Sequence, residues 1–306
     1  MVVLMSKFAR VSANPPSKAL PSFSQVFASH AHDRLLSLLS DAEPASLSTG
    51  KLSLSWLRRC LDMLPYMNRA FARLVASVDH PMSAWGSGLA DEYLSYTLNL
   101  LEHLNRMSSA VNRLGHARVS LAHVLSVSGS VPPGSVKRLN GVMVDAPGKD
   151  YGKVRRRGED GRGRTGAGKD WAICKALDVM KGVEFWVSGV VISALSSCAS
   201  PYLEMRPAAL QFLGPSVAAY LDKKLHEGIL EKGICLAEVM EINDSVDAMA
   251  SNGDGKSRGD EAQVLRSRLD GIEKMMEGLR KEVDCLFSEV LDSRNALLDC
   301  MRAAHC

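Results

Sequence analysis

Aromatic residues are scarce in this chain. Phe, Trp and Tyr together make up 6% of its 306 residues. Sheets draw on aromatic and β-branched side chains, whereas this sequence is rich in Leu, Ala, Ser and Met, so it favours helices packed through aliphatic groups. Paired cysteines are also missing. The seven thiols, Cys60, Cys174, Cys198, Cys235, Cys285, Cys300 and Cys306, are odd in number, scattered and without a Cys-x-x-Cys unit. That argues against a disulfide framework and a structural zinc site, and a reducing compartment is the simpler reading. Charge of one sign is lacking too. A net charge of +3 does not by itself imply nucleic acid binding. No long apolar run is present: Phe185 to Ala199 is about 15 residues, short of the roughly 20 that span a bilayer. Glu184 and Pro201 bound it, and a buried helix is the favoured reading, with a membrane-associated segment at 185–199 as the alternative.

Catalytic signatures are absent as well. The sequence holds no G-x-S-x-G and no H-E-x-x-H. His30, His32, His80, His103, His116, His123, His226 and His305 supply no third ligand at metal spacing, and each reads as a core or surface histidine. Asp91 and Glu92 are helix-start acids before they are a catalytic dyad. One phosphate-loop match exists, Gly163-Arg-Thr-Gly-Ala-Gly168-Lys169. It is followed by Asp170 where a Mg²⁺-binding hydroxyl belongs, and preceded by arginines instead of a strand. A nucleotide-dependent enzyme using this degenerate loop is a remote alternative. No cofactor and no metal site is expected.

What the sequence does contain is helical periodicity. Phe23, Phe27, Leu35, Leu38 and Leu39 predict a first helix after Pro21. Leu57, Leu61, Leu64, Met67, Phe71, Leu74 and Val78 share one face over 52–78, with a kink near Leu64 because of Pro65. A longer stripe, Leu94, Leu98, Leu101, Leu104, Val111, Leu114, Leu121 and Leu125, predicts a helix over 87–127 that Gly115 bends. Helical pattern resumes near Trp171 with Asp170 as N-cap. Another helix opens at Pro215 and continues through Met249, weakened by Gly228 and Gly233. Ser251 to Gly259 reads as a turn.

The last stretch, about 45 residues, reads as one amphipathic helix opened by an Asp260…Gln263 capping box. Its apolar positions, Leu265, Leu269, Ile272, Met276, Leu279, Val283, Leu286, Val290 and Leu297, follow heptad steps interrupted at Ser293. These nine form a partner-binding or bundle seam. Arg268, Glu273, Arg280, Glu282 and Glu289 flank it at positions suited to ion pairs. Phe287, Leu291, Leu298 and Met301 widen the stripe, which favours docking within the chain's own bundle over a self-associating coiled coil.

The expected fold is all-α: an elongated bundle of long antiparallel helices with a disordered Gly/Arg-rich central linker. The regions are a basic N-terminal tail (1–20), an N-terminal helical region (21–127), a flexible basic linker (128–169) and a C-terminal helical region (170–306). The tail holds Lys7, Arg10 and Lys18 and no acid before Asp33, a composition like that of a transit peptide. The linker carries Lys149, Lys153, Arg155, Arg156, Arg157, Arg162, Arg164 and Lys169, a charge pattern able to meet an anionic membrane surface or an acidic partner. Few aromatics interleave with it, so no specific nucleic acid is expected.

Two sets of residues carry a family likeness. The first is Leu54-Ser-Trp-Leu57, then Ala90-Asp-Glu-Tyr-Leu94 and Leu100-Leu-Glu-His-Leu-Asn105. The second is Gly278-Leu-Arg-Lys-Glu-Val-Asp-Cys-Leu-Phe287 running into Ser293-Arg-Asn-Ala-Leu-Leu298. In these the chain resembles the plant BYPASS-type proteins, close to the group described as partners of an exocyst subunit, over roughly residues 20–127 and 215–304. The resemblance implies a non-enzymatic helical interaction protein. It also implies a role in root and shoot development through a mobile root-derived signal. In some members it implies exocyst-linked secretion and a chloroplast or membrane location; for this chain a cytoplasmic or membrane-associated location is expected, with chloroplast targeting as the alternative. It supplies no catalytic residues.

Overall fold

A computed structural model describes residues 20–40, 49–128, 168–251 and 255–303. The expected tail, nearly all of the linker and the first five residues of the phosphate-loop match lie outside the described residues. What is described is an all-α bundle. The helices are α1 (Leu20–Ser40), α2 (Leu54–Leu61), α3 (Met63–Ser77), α4 (Ser87–Ser128), α5 (Lys169–Ser196), α6 (Ser200–Leu213), α7 (Pro215–Leu221), α8 (Glu227–Lys232), α9 (Ala237–Ser251) and α10 (Gly255–Ala303). A 3₁₀ turn, Met82–Ala84, precedes α4, and a π turn, Asp222–His226, joins α7 to α8.

Helix α5 is the centre of the bundle. It packs against α1, α2, α3, α4 and α6, so helices from both sides of the linker share one core. From Gly182 to Ser196 every residue is buried. It is long and apolar enough to cross a membrane, yet 94% of its most apolar window is covered by the protein itself. A helix apolar on all sides needs neighbours on all sides, and here the neighbours are protein. Close approach of α6 depends on two glycines one heptad apart. A Cβ at Gly182 would sit 2.8 Å from Leu213 Cγ, and one at Gly189 would sit 3.2 Å from the Tyr202 backbone. The α5–α6 turn is fixed by Ser197 in the left-handed region and by Ser193 Oγ, which accepts from Tyr202 N–H at 2.8 Å.

Several boundaries differ from the sequence reading, each for a local reason. The predicted 52–78 helix is two helices that break at Asp62, three residues before Pro65. Proline lacks the N–H that a continuous helix would use, and the break moves it into the first turn of α3, where none is required. Helix α5 begins at Lys169 with Gly168 at the N-cap, and no side chain caps it. Asp170 sits in the first turn instead, and its Oδ1 lies 2.5 Å from His80 Nε2. The predicted helix over 215–249 stops at Gly233, whose φ of +78° a helix cannot hold. Helix α10 starts at Gly255, five residues before Asp260, so the predicted capping box lies inside the helix and the predicted turn shrinks. Helix α4 runs unbroken through Gly115.

The break at Gly233 has a use. Residues Cys235–Leu236 (β2) pair in parallel with Lys51–Leu52 (β1). Gly50 C=O accepts from Cys235 N–H at 2.9 Å, and Glu238 Oε1 accepts from Leu54 N–H at 2.9 Å. Ser53 caps α2 by accepting from Trp56 N–H at 3.2 Å. This small strap ties the start of α2 to the start of α9 across most of the sequence.

Candidate interaction site

The two longest helices, α4 with 42 residues and α10 with 49, run antiparallel. At about 1.5 Å per residue they are rods of roughly 60 and 70 Å. The pairing is legible from side-chain contacts along both helices. Arg266 reaches Leu125 O at 3.4 Å, Arg118 meets Glu273 at 2.7 Å, Arg280 Nε donates to Asn112 at 3.3 Å, and Arg294 donates to Leu94 O and, at 3.1 Å, to Thr97 Oγ1.

All nine seam residues of α10, from Leu265 through Leu297, are at most 3% exposed. Helices α4, α9 and α2 of the same chain cover them. A second copy pairing through the same seam would first have to displace α4. Ser293, where the heptad pattern breaks, is also buried and hydrogen-bonds Tyr93 of α4. The flanking charges are spent within the chain: Arg58 pairs with Glu282, Arg280 with Glu277 at 2.5 Å, and Arg268 donates to Glu241 O at 2.5 Å. Phe287 and Met301 pack partly against the core, while Leu291 is 39% exposed.

What remains outward on this helix pair is apolar in places. Leu98 was predicted in the buried stripe of α4 but is 54% exposed, because Thr97 and Leu101 take the inward positions. Leu291 lies at about the same level, since Arg294 reaches Leu94 and Thr97. Val119 is 53% exposed on the rim of an open groove of about 740 Å³ between α4 and α10, bordered by Asn112, Gly115, His116, Glu273 and Arg280.

The groups with chemical potential elsewhere are used structurally. His103 of α4 and Glu184 of α5 meet in a buried polar contact between Nδ1 and Oε1, with side chains 2% and 1% exposed. Glu184 Oε2 and, one turn later, Ser188 Oγ are buried with no protein partner. Sequence reasoning placed Glu184 only at the edge of an apolar run. The missed signal is that a lone carboxylate entering such a run requires a buried partner. Lys181 pairs with Glu92, so that acid closes the α4–α5 contact. Among the described residues no group of three or more His, Cys, Asp or Glu side chains is placed to hold a metal ion.

Lys169, the lysine of the phosphate-loop match, donates to Asp79 O at 2.7 Å and lies 3.8 Å from its carboxylate. Its ammonium therefore ties α5 to the end of α3. Lys169→Ala is expected to leave ATP binding, read by equilibrium dialysis, at the level of the intact protein. Specific binding lost on substitution would restore the nucleotide reading.

Tyr93 is stacked on Phe71 at 5.9 Å and edge-on to Trp85 at 5.5 Å. Burial pushes its phenol up to about 12, and the hydrogen bond with Ser293 offsets this only in part. An unfolded tyrosine ionises near pH 10, so between pH 10 and 12 the unfolded chain gives up a proton that the folded one keeps. Tyr93 alone is expected to contribute a fall of roughly 2 to 3 kcal/mol across that window, in addition to the fall from Tyr96, whose phenol burial also raises. Tyr93→Phe should flatten that decline in denaturant titrations at stepped pH, and an unchanged slope would contradict the assignment.

Comparison with known proteins gives a partial answer. No family model and no solved structure matches the chain. UPF0496 protein 4 of Oryza sativa subsp. indica and its counterpart in subsp. japonica are each 32% identical over 111 residues. That match covers 33% of this chain and only 24% of the rice proteins. Protein BPS1, chloroplastic, of Arabidopsis thaliana is 21% identical over 273 residues, covering 82% of this chain and 77% of that protein. The chain is similar to BYPASS-type plant proteins. This similarity extends through most of the sequence, beyond the two end regions where the resemblance was first visible. None of the three names is an enzyme name.

Proposed function

We propose that this protein is a non-enzymatic helical interaction protein, a BYPASS-like regulator of developmental signalling. It engages a protein partner through the outward faces of α4 and α10. The observation that supports this reading most is the division of labour on α10. Its nine seam residues are covered by the chain's own helices, while Leu291 on α10 and Leu98 and Val119 on α4 remain open. Exposed apolar residues on a rigid helix pair suit recognition of another protein surface. An exocyst subunit is the partner class that the family likeness proposes, with secretion as the process. The name of the Arabidopsis relative adds the chloroplast as a proposed location, in keeping with the basic N-terminal composition.

The test is affinity purification of the intact chain beside Leu98→Asp/Leu291→Asp. Both positions are exposed, so the helical content should stay unchanged while partner recovery falls at least tenfold. An identical partner set from the variant would refute the outward-face reading. Removing residues 260–306 is the weaker experiment, because it would also strip the cover from α4 and unfold the bundle.

Anchoring through 185–199 is the competing reading, and the packing of α5 weighs against it. Lipid exposure would cost the α5–α6 contact at Gly182 and Gly189 and leave Glu184 without His103.

A further inference from the structure

We propose that the face formed by α1 and α3 binds an anionic lipid surface peripherally, through Arg34, Arg69 and Arg73 with Tyr66 between them. Residues Tyr66, Arg69 and Arg73 recur at steps of three and four and so share one side of α3. Arg34 of α1 lies over the Tyr66 ring, 4.7 Å from its centre, which brings the two helices into one face. All three arginines are exposed.

Their charge is not spent inside the protein. By contrast, Arg118 of α4 pairs with Glu273, Arg280 of α10 with Glu277, and Arg58 of α2 with Glu282. Among the described residues, no carboxylate lies within ion-pair distance of Arg34, Arg69 or Arg73. Helices α2 and α3 together contain four arginines and no acid. Among the described residues, the carboxylates of this face are Asp33 beside Arg34, and Asp62 at the α2–α3 break. Asp62 feels Arg34, Arg58 and Arg69 at once, and burial together with Glu282 raises its pKa. Among the described residues, Arg34, Arg69 and Arg73 outnumber these two carboxylates, so the face keeps an excess of positive charge.

The arrangement favours a lipid headgroup layer over an acidic peptide. The charges are spread over two adjacent helices, as a flat polyanionic surface requires. A half-buried tyrosine among them is the amphipathic side chain that settles at a membrane interface. This mode leaves α5 in the core, and it holds whichever protein partner α4 and α10 recruit.

Co-sedimentation of the full chain with phosphatidylcholine vesicles, with and without phosphatidylserine, is the test. The chain should bind the phosphatidylserine vesicles alone, and less as salt rises. Each arginine near such a surface is worth about a fivefold change in affinity, so Arg34→Gln/Arg69→Gln/Arg73→Gln should weaken binding on the order of 100-fold. Circular dichroism should be unchanged. A second variant, Arg155→Gln/Arg156→Gln/Arg157→Gln, measures the contribution of the basic stretch between α4 and α5 and should cost less. The proposal is overturned if the first variant binds like the intact chain, or if the second alone abolishes binding. Equal binding to both vesicle types, or binding to poly-glutamate but not to vesicles, would overturn it too.

Discussion

His103→Leu is expected to destabilise the protein by about 3 to 5 kcal/mol in urea titration. The substitution leaves the Glu184 carboxyl group buried at the centre of the bundle without its imidazole partner. Its Oε2 already lacks a protein partner, and Oε1 would lose the His103 imidazole, so the desolvation cost of the acid falls on the folded state alone. The double variant His103→Leu/Glu184→Leu should recover most of that loss, because two aliphatic side chains replace a pair whose desolvation roughly cancels its attraction. Glu184→Gln should fall between, since an amide keeps a hydrogen bond to the imidazole. A cost below about 1 kcal/mol for His103→Leu would mean that the pair is hydrated and that α5 is less enclosed than described.

Gly50→Ala is expected to cost about 3 kcal/mol or more. Gly50 has φ +67°, which penalises any side chain by about 1 to 2 kcal/mol. It also faces the Gly233 carbonyl so closely that a Cβ would overlap the oxygen. Backbone must move, and with it go the Gly50–Cys235 hydrogen bond and the parallel pairing of β1 with β2. Gly214→Ala supplies the control. Its φ is +83°, yet nothing lies within 4 Å of the added methyl. That variant should show backbone strain without a clash, since its ψ of 162° places it in a region essentially restricted to glycine. A loss below about 1 kcal/mol for Gly50→Ala would remove the close approach as a cause and leave the strap without a stabilising role.

Legibility of the fold from sequence follows the range of the forces involved. The stripes on α4 and α10 repeat over many turns, so both helices could be read from spacing. The identity of α5 as a buried helix was likewise visible in its short apolar run bounded by Glu184. Boundaries were less visible where a distant contact decides them. Nothing local announces that Leu236 will pair with Leu52, so the stop at Gly233 looked like a weak point in a continuing helix. Asp170 looked like a cap because its neighbours are helical, yet His80, 90 residues away, claims its carboxylate. Leu98 fitted the stripe by number, but a helix this long rotates its buried face as its neighbours change. The His103–Glu184 pair lies on two helices separated by 81 positions, and no spacing rule connects them.

The central claim is that helices from both sides of the central segment form one core, with α5 inside it and α10 as one of its walls. Native-state hydrogen exchange of the intact chain tests this most directly. If the claim holds, amides of α5 around Val187–Ile192 and of α10 around Met276–Val290 exchange only through global unfolding, and both lose protection together when His103→Leu lowers stability. Exchange in α10 that is much faster than in α5 and indifferent to His103→Leu would contradict it, and would make the last helix a separate coiled-coil arm.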